Sequence, residues 1–117
     1  MYISATIPSG QSVSNWINVG NINSSERERL AIVGVYAPIG LTQTSCSIQG
    51  SWTGPGDATG FDIIDQYAAA KSFVVAAGKL TDIPPGQNPM ALPPYIRVKL
   101  PSNATADRTF NVGLRPV

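Results

Sequence analysis

The chain has 117 residues, of which 43% are hydrophobic and 13% are charged, and its formal net charge is +1. This length fits about one domain, and the balanced charge disfavours nucleic-acid binding and attachment to membranes through a basic surface. The absence of His and the presence of a single Cys exclude His-dependent catalysis, intrachain disulfides and Cys clusters that bind zinc.

Two targeting features are not expected from the sequence. No run of about 18 apolar residues occurs, so no transmembrane helix is predicted. The first ten residues, MYISATIPSG, lack a basic segment followed by an apolar one, and we therefore predict no signal peptide.

Alternation of apolar and polar residues predicts short strands along most of the chain. The first is Tyr2–Ile7, which we interpret as an edge strand or an arm within the N-terminal segment 1–15. Leu30–Tyr36 is apolar on both faces, so we expect a central strand or one that a partner covers. The other strands predicted before residue 80 are Trp16–Gly20, Ser45–Trp52, Phe61–Asp65 and Ser72–Ala76.

The segment Ser45–Trp52 shows the clearest alternation. Cys46, Ile48 and Trp52 are expected to face the core, and the polar residues between them are expected to face solvent. Cys46 is therefore predicted to be a small buried residue, since a reactive thiol needs an exposed, electropositive setting. Trp16 has two interpretations, a core residue or the anchor of a surface site.

The C-terminal part of the chain predicts two further strands, Tyr95–Leu100 and Thr109–Arg115. Arg97 and Lys99 are expected to face solvent. With Arg108 and Arg115 they indicate either a solvated sheet face or, as the weaker alternative, a basic stripe. The residues of these strands expected to face the core are Ile96, Val98, Leu100, Phe110, Val112 and Leu114.

Glycine and proline mark the connections between the strands. Thr53–Asp57 predicts a turn, and Lys79–Pro94, which contains five Pro, predicts a long loop without regular structure. Only Asn23–Arg29 and Tyr67–Lys71 are candidates for short helices. The whole pattern predicts an all-β fold, an antiparallel β-sandwich or jelly roll of about 7–8 short strands, with residues 16–117 as one domain.

No combination of residues indicates catalysis, a cofactor or a metal site. Asp62 and Asp65 are three residues apart, so on a strand they would face opposite sides of the sheet. A calcium site formed by these two residues and Asp57 is the weaker interpretation, because the spaced, Asp-rich loop of such sites is absent. A deep pocket lined by Asp62, Asp65 and Asp82 would indicate an enzyme, and we expect none.

Several elements recur in an order known from one group of proteins. They are the apolar strand Leu30–Tyr36 followed by Ala37 and Pro38, the strand and turn from Cys46 to Asp57, and the closing segment ADRTFNVGLR at 106–115. From Trp16 to Arg115 the chain resembles the capsid decoration, or cement, proteins of tailed bacteriophages, which are small β-sandwiches.

The resemblance implies a structural virion protein, made in the host cytoplasm and located on the outer surface of an icosahedral head, without a cofactor. The implied partners are the major capsid protein and further copies of the chain in a homotrimer, with neither nucleic acid nor membrane. The expected contacts lie in the N-terminal arm, in a charged cluster and in the Pro-rich loop. They are Ile3, Ala5 and Ile7, then Glu26, Arg27, Glu28 and Arg29, then Met90, Leu92 and Tyr95.

Two other functions stay open at this point. A carbohydrate-binding module would bind sugars through exposed rings, and two or more coplanar rings on one face would favour it. Burial of Trp16 and Trp52 would count against it. Another virion component, such as a head–tail connector or a tail or fibre subunit, would need the same kind of β-rich surface. The candidate rings for sugar binding are Trp16, Tyr36, Tyr67 and Tyr95.

Overall fold

The computed structural model of the chain describes residues 2–20, 30–64, 68, 71–83 and 92–116. These residues form nine strands, all paired antiparallel, and none of them forms a helix that would cross a membrane. The all-β fold class predicted from the sequence is confirmed. The strands are β1 Tyr2–Ile7, β2 Ile17–Asn18, β3 Leu30–Tyr36, β4 Ser45–Ser51, β5 Phe61–Asp62, β6 Ser72–Val74, β7 Leu80–Asp82, β8 Tyr95–Lys99 and β9 Arg108–Pro116.

The strands form two sheets. Sheet 1 has four strands in the order β1-β9-β3-β7. Sheet 2 has five strands, with the order β2-β8-β4-β5 and β6 also paired to β4. β3 lies between β9 and β7, so the prediction of a central strand from its two apolar faces is confirmed. A register shift between Ile32 and Gly34 marks an irregularity in its pairing with β9.

A single hydrophobic core lies between the sheets and takes residues from both. The predicted inward alternation is confirmed on β4, β8 and β9, because apolar side chains two residues apart are buried on each strand. At roughly 25 cal/mol for each Å² of apolar surface removed from water, this core is the main stabilising element of the fold. Its members on those strands are Cys46, Ile48, Ile96, Val98, Phe110, Val112 and Leu114, and Leu100 follows β8.

The N-terminal segment is an edge strand of sheet 1. β1 pairs with β9 over its whole length, from Tyr2 opposite Gly113 to Ile7 opposite Arg108. Ala5 and Ile7 are 0% exposed, and Ile3 packs partly buried against the same core. These three side chains pack in or against the chain's own core, and the hypothesis that they contact a partner stays a prediction.

One strand lies where the sequence predicted an irregular loop. β7 pairs with β3, with Leu80 opposite Tyr36 and Asp82 opposite Gly34. The prolines that argued against regular structure all follow residue 83, which leaves the backbone N–H groups of β7 available for pairing. Ile83 is buried and donates its N–H to the carbonyl of Val33, which fixes the end of the strand.

Trp52 was predicted to lie in the core, and this prediction is wrong, since its side chain is 71% exposed. β4 ends at Ser51, whose Oγ accepts hydrogen bonds from the N–H groups of Thr53 and Gly54. The turn therefore begins at Ser51, before Trp52 can take the next inward position of β4. The Trp52 ring instead packs against Phe61, with centroids 5.4 Å apart and planes tilted by 37°.

Several sequence predictions lie outside the described residues. The possible helix Asn23–Arg29 belongs to this group, and so does most of Tyr67–Lys71. The same is true of the proposed contact residues Glu26, Arg27, Glu28, Arg29 and Met90.

Candidate functional site

The outer face of sheet 2 is covered by the chain itself over β4 and β8, whereas Ser72 and Val74 of β6 are exposed. Gln49 and Ser51 on β4 and Arg97 on β8 point away from the core, as their position in the alternation requires. All three are nevertheless buried, and Arg97 is only 7% exposed. The prediction that they face solvent is wrong because Trp16 and the loop 52–60 lie over this face and supply its hydrogen-bond partners.

Asp57 fixes the loop 52–60 through its carboxylate. Oδ2 accepts a hydrogen bond from Ser51 Oγ at 2.6 Å, and Oδ1 accepts from the N–H groups of Gly60 at 2.9 Å and Thr59 at 3.1 Å. The hydrogen bond from Ser51, followed by those from Gly60 and Thr59, lowers the Asp57 pKa from 3.8 to about 2. A carboxylate committed in this way organises a turn rather than a cation site.

The acidic residues within the described ranges do not come together elsewhere. Asp62 is exposed on sheet 2 and accepts a hydrogen bond from Gln49 Nε2 at 2.9 Å, whereas Asp82 is exposed on sheet 1. Asp65 lies outside the described residues. Within the described part of the chain, no group of three or more His, Cys, Asp or Glu side chains is placed to hold a metal ion.

Arg97 joins sheet 2 to the loop. Its Nε donates to Gln49 Oε1 at 2.9 Å, and its Nη2 donates to the carbonyl of Thr59 at 3.0 Å. Burial lowers the Arg97 pKa, and the negative charge of Asp57 opposes that shift. Arg97 and Lys99 lie on sheet 2 while Arg108 and Arg115 lie on sheet 1, so the four residues form no continuous basic stripe.

The rings of Trp16 and Tyr95 lie under the same loop. Trp16 is half-buried and donates from Nε1 to the carbonyl of Asp57 at 2.8 Å. Gly54 has a φ of +72°, and a Cβ placed on it would lie 2.4 Å from Cδ1 of Tyr95. A Cβ on Gly60 would lie 2.5 Å from the Trp16 ring. Only glycine allows this close approach of backbone to ring, so both aromatics support the loop.

The outer face of sheet 1 is open, in contrast to that of sheet 2. The strand registers place one row of side chains as Ser4–Asn111–Tyr36–Leu80 and the next as Tyr2–Gly113–Gly34–Asp82, with Thr6–Thr109 beside them. We call these ten residues the open face. Tyr2 is 68% exposed and Leu80 is 67% exposed, and Ser4, Thr6 and Thr109 are exposed as well.

The open face is polar, and Arg115 is exposed beyond Gly113 on the same side of β9. Ser4 Oγ donates to Asn111 Oδ1 at 3.1 Å, and the hydroxyls of Thr6 and Thr109 share a hydrogen bond of 2.9 Å. Asp82 is its one charged residue. Gly34 and Gly113 pair directly, so two adjacent positions lack side chains. The Leu80 side chain lies over Gly34, where an added Cβ would be 3.2 Å from its Cδ1.

Two more apolar side chains are exposed next to this face. The N–H of Gly78 donates to the carbonyl of Ala37, which holds the turn before β7 against the segment after β3. Ile39 belongs to that segment and is exposed, as is Val74 on β6, whose carbonyl accepts a hydrogen bond from Thr81 Oγ1 at 2.7 Å. Ile39 and Val74 are thus exposed apolar side chains on segments bonded to the β7 region, and Val74 belongs to sheet 2.

The open face was not identified from the sequence. Ser4, Thr6, Thr109 and Asn111 each occupy an outward position of a predictable strand, but their grouping depends on the pairing of β1, β9 and β3. Of the loop contacts predicted, Leu92 packs partly buried against the core and Tyr95 lies under Gly54. Of the predicted sugar-binding rings, Trp16 and Tyr95 lie under the loop 52–60 on sheet 2 and Tyr36 lies on sheet 1, while Tyr67 is outside the described residues.

Comparison with family models, with curated proteins and with solved structures finds no match to this chain.

Proposed function

We propose that this chain is a structural virion protein that decorates an icosahedral phage capsid, with the open face against the major capsid protein. The observation that carries this proposal is the contrast between the two outer faces. One is covered over β4 and β8 by the chain's own loop and a satisfied hydrogen-bond network, whereas the other exposes Tyr2 and Leu80 among polar side chains.

The chemistry of the open face suits a protein partner. Tyrosine is enriched at protein interfaces because its ring buries a large apolar area while its hydroxyl still forms a hydrogen bond. A face with one carboxylate loses little free energy when charges are desolvated. The exposed hydroxyls of Ser4 and Thr109 are available for hydrogen bonds that fix orientation. The exposed side chain of Leu80 adds apolar surface that gains from burial.

Repetition on a capsid compensates for a modest area of contact. A decoration protein binds symmetry-related sites on one shell, so a weak single contact contributes many times to the stability of the particle. The formal net charge of +1 limits repulsion between copies that are crowded on the same surface. The homotrimer implied by the resemblance stays a prediction, to be tested by mass in solution.

Binding to capsids tests this proposal directly. The purified chain is mixed with expanded heads of the phage that encodes it, freed of the endogenous copy, and the bound fraction is measured after sedimentation. We expect saturable binding that Leu80→Lys or Thr109→Lys weakens at least about tenfold, because each places a charge on the open face. Ala106→Lys, in the exposed loop before β9, is the matched control and should bind as the wild type.

Two results would overturn the proposal. The first is no binding of the wild-type chain to heads at any occupancy. The second is equal binding by the open-face variants and Ala106→Lys, which would place the contact elsewhere. Labelled chain found only at the portal vertex or the tail would favour the connector or tail subunit instead.

Carbohydrate binding is the second candidate function, and the exposure of Trp52 favours it. A sugar ring stacks on an exposed indole, and Trp52 is 71% exposed with Phe61 supporting it from one side. A glycan array would detect binding, and Trp52→Ala should abolish it while Trp16→Phe keeps it. A change in tryptophan emission on sugar addition that persists in Trp52→Phe would contradict this assignment.

A further inference from the structure

β1 is the longest sheet edge in the described part of the chain. It has six residues, against three in β6 and β7 and two in β2 and β5. β9 pairs with one side of β1, and no described strand pairs with its other side. The backbone groups on that side are a template for one more strand.

Natural edge strands usually carry devices that prevent such pairing. Lysine, proline, bulges and inward-facing charges are the common ones. The β7 edge carries Asp82 and the β5 edge carries Asp62, whereas the sequence of β1, YISATI, contains no charged residue, no Pro and no Gly. Its register with β9 is continuous and shows no bulge. β2 and β6 also lack charges but have only two and three residues, so β1 is the longest described edge without such a device.

We propose that β1 pairs antiparallel with β1 of a second copy of the chain. Side chains opposite each other across a strand pair lie on the same face, so an inward residue of one copy has to meet an inward residue of the other. A two-fold axis at Ser4 satisfies this condition, because Ile3 then lies opposite Ala5 and Tyr2 lies opposite Thr6. An axis at Ala5 satisfies it as well, with Ile3 opposite Ile7.

The uncharged sequence of β1 favours a second copy as the occupant. In a symmetric pair every charge near the axis meets its own like charge, which destabilises the contact. β1 avoids this penalty in both registers. Ile3, which is only partly buried in the single chain, is covered further by the second copy. The pair joins two four-stranded sheets into one continuous sheet and brings the two open faces side by side.

The pairing is independent of capsid binding and is distinguishable from the homotrimer implied by the resemblance. A β1 pair is a closed two-fold contact and produces a dimer of twice the 12.3 kDa chain mass. Light scattering coupled to size-exclusion chromatography, on the wild-type chain at up to about 100 μM, measures that mass. A dimer is expected. A monomer or a trimer at every concentration would overturn the proposal.

Substitution of Ser4 tests whether β1 forms the contact. Ser4→Lys places like charges near the two-fold axis and should raise the dimer dissociation constant about tenfold or more. Ser4→Glu should do the same, and a mixture of the two variants should form a heterodimer again. Thr109→Lys is the control, since it lies on the same face but on β9, one strand in from the edge. Circular dichroism establishes that each variant is folded.

The outcomes separate edge pairing from other contacts. A dimer that Ser4→Lys leaves intact, or a mixture of oppositely charged variants that does not associate, would overturn β1 pairing. Equal dissociation by Thr109→Lys would assign the contact to the open face as a whole and would also overturn it. Because Ser4→Lys also places a charge on the open face, the two proposals are separated with the wild-type chain: a wild-type monomer that binds capsids would overturn β1 pairing and leave the proposed function standing.

Discussion

The guanidinium of Arg97 lies 4.2 Å from the centroid of the Trp16 ring, on the outer face of sheet 2. Each of these side chains also donates a hydrogen bond to a carbonyl of the loop 52–60, Trp16 to Asp57 and Arg97 to Thr59. A cation over an aromatic face is stabilised most strongly when water is excluded, as it is here. The stacked pair therefore fastens the loop at two points and closes this face to other partners.

The first prediction concerns the two hydrogen bonds that the Arg97 guanidinium donates. Arg97→Lys keeps the positive charge but does not reproduce the two directed hydrogen bonds and the planar stacking. We expect the free energy of unfolding to fall by about 2–3 kcal/mol, because Gln49 Oε1 is left buried without its donor. Urea denaturation measures the change. Arg115→Lys, on an exposed position of β9, is the matched control, and an equal loss there would contradict the assigned role of Arg97.

The second prediction separates backbone strain from steric clash in the turn after β4. Gly54 and Gly56 both have positive φ, +72° and +95° respectively. A Cβ on Gly54 would meet the Tyr95 ring, whereas a Cβ on Gly56 would have no atom within 4 Å. Gly56→Ala should cost about 1 kcal/mol from strain, and Gly54→Ala about 3 kcal/mol or more from strain and clash together.

Thermal denaturation of the two glycine variants measures this difference. An equal loss of stability in Gly54→Ala and Gly56→Ala would mean that the loop moves away from Tyr95 at little cost in free energy. In that case Gly54 would not be the point at which the backbone rests on the ring. Gly54→Ala should cost less stability in a Tyr95→Ala background than in the wild type, because the clash is removed.

The third prediction is a pH dependence that arises from Asp57. Its pKa is lowered from 3.8 to about 2 in the folded chain, so the charged form stabilises the fold. That contribution is complete above pH 4 and is lost as the pH falls toward 2. Asp57→Asn should therefore be less stable than the wild type at neutral pH, and the difference should shrink progressively below pH 4.

Denaturation midpoints at pH 7, 4, 3 and 2 for the wild type and for Asp57→Asn test this behaviour. Asp82→Asn serves as the control, since it removes an exposed carboxylate from β7. If the stability difference between Asp82→Asn and the wild type also shrinks below pH 4, the pH dependence is a general charge effect. A constant gap between the wild type and Asp57→Asn at all four pH values would contradict the role of the carboxylate.

Local sequence patterns were sufficient to predict the layers of the fold. Cys46, Ile48 and Phe110 alternate with polar neighbours, and a strand with that period has one buried face whatever its partners are. β7 was missed because three residues are too few for a period to show. Its existence depends on pairing with β3, whose residues are more than 40 positions away in the chain.

The burial or exposure of side chains on the outer face of sheet 2 could not be predicted from local patterns, for a different reason. Arg97 occupies an outward position, and only the return of the loop that carries Thr59 buries it. Trp52 continues the inward alternation of β4, but the turn at Gly54 carries it out of the sheet. In both cases a hydrogen bond to a loop overrides the period of the strand. A sequence pattern does not encode where a loop returns.

The last prediction concerns Cys46, the single thiol of the chain. Burial raises its pKa from 9.0 to about 12, so at pH 8 only about one thiol in ten thousand is ionised. Because the thiolate is the reactive species, the native chain should react with a disulfide reagent only as fast as it unfolds. Titration of free thiol with and without denaturant measures the two rates. Ala106→Cys places a second thiol in an exposed loop and should react at once with one equivalent of reagent. Rapid loss of both thiols from the native variant would show that the space between the sheets opens without global unfolding.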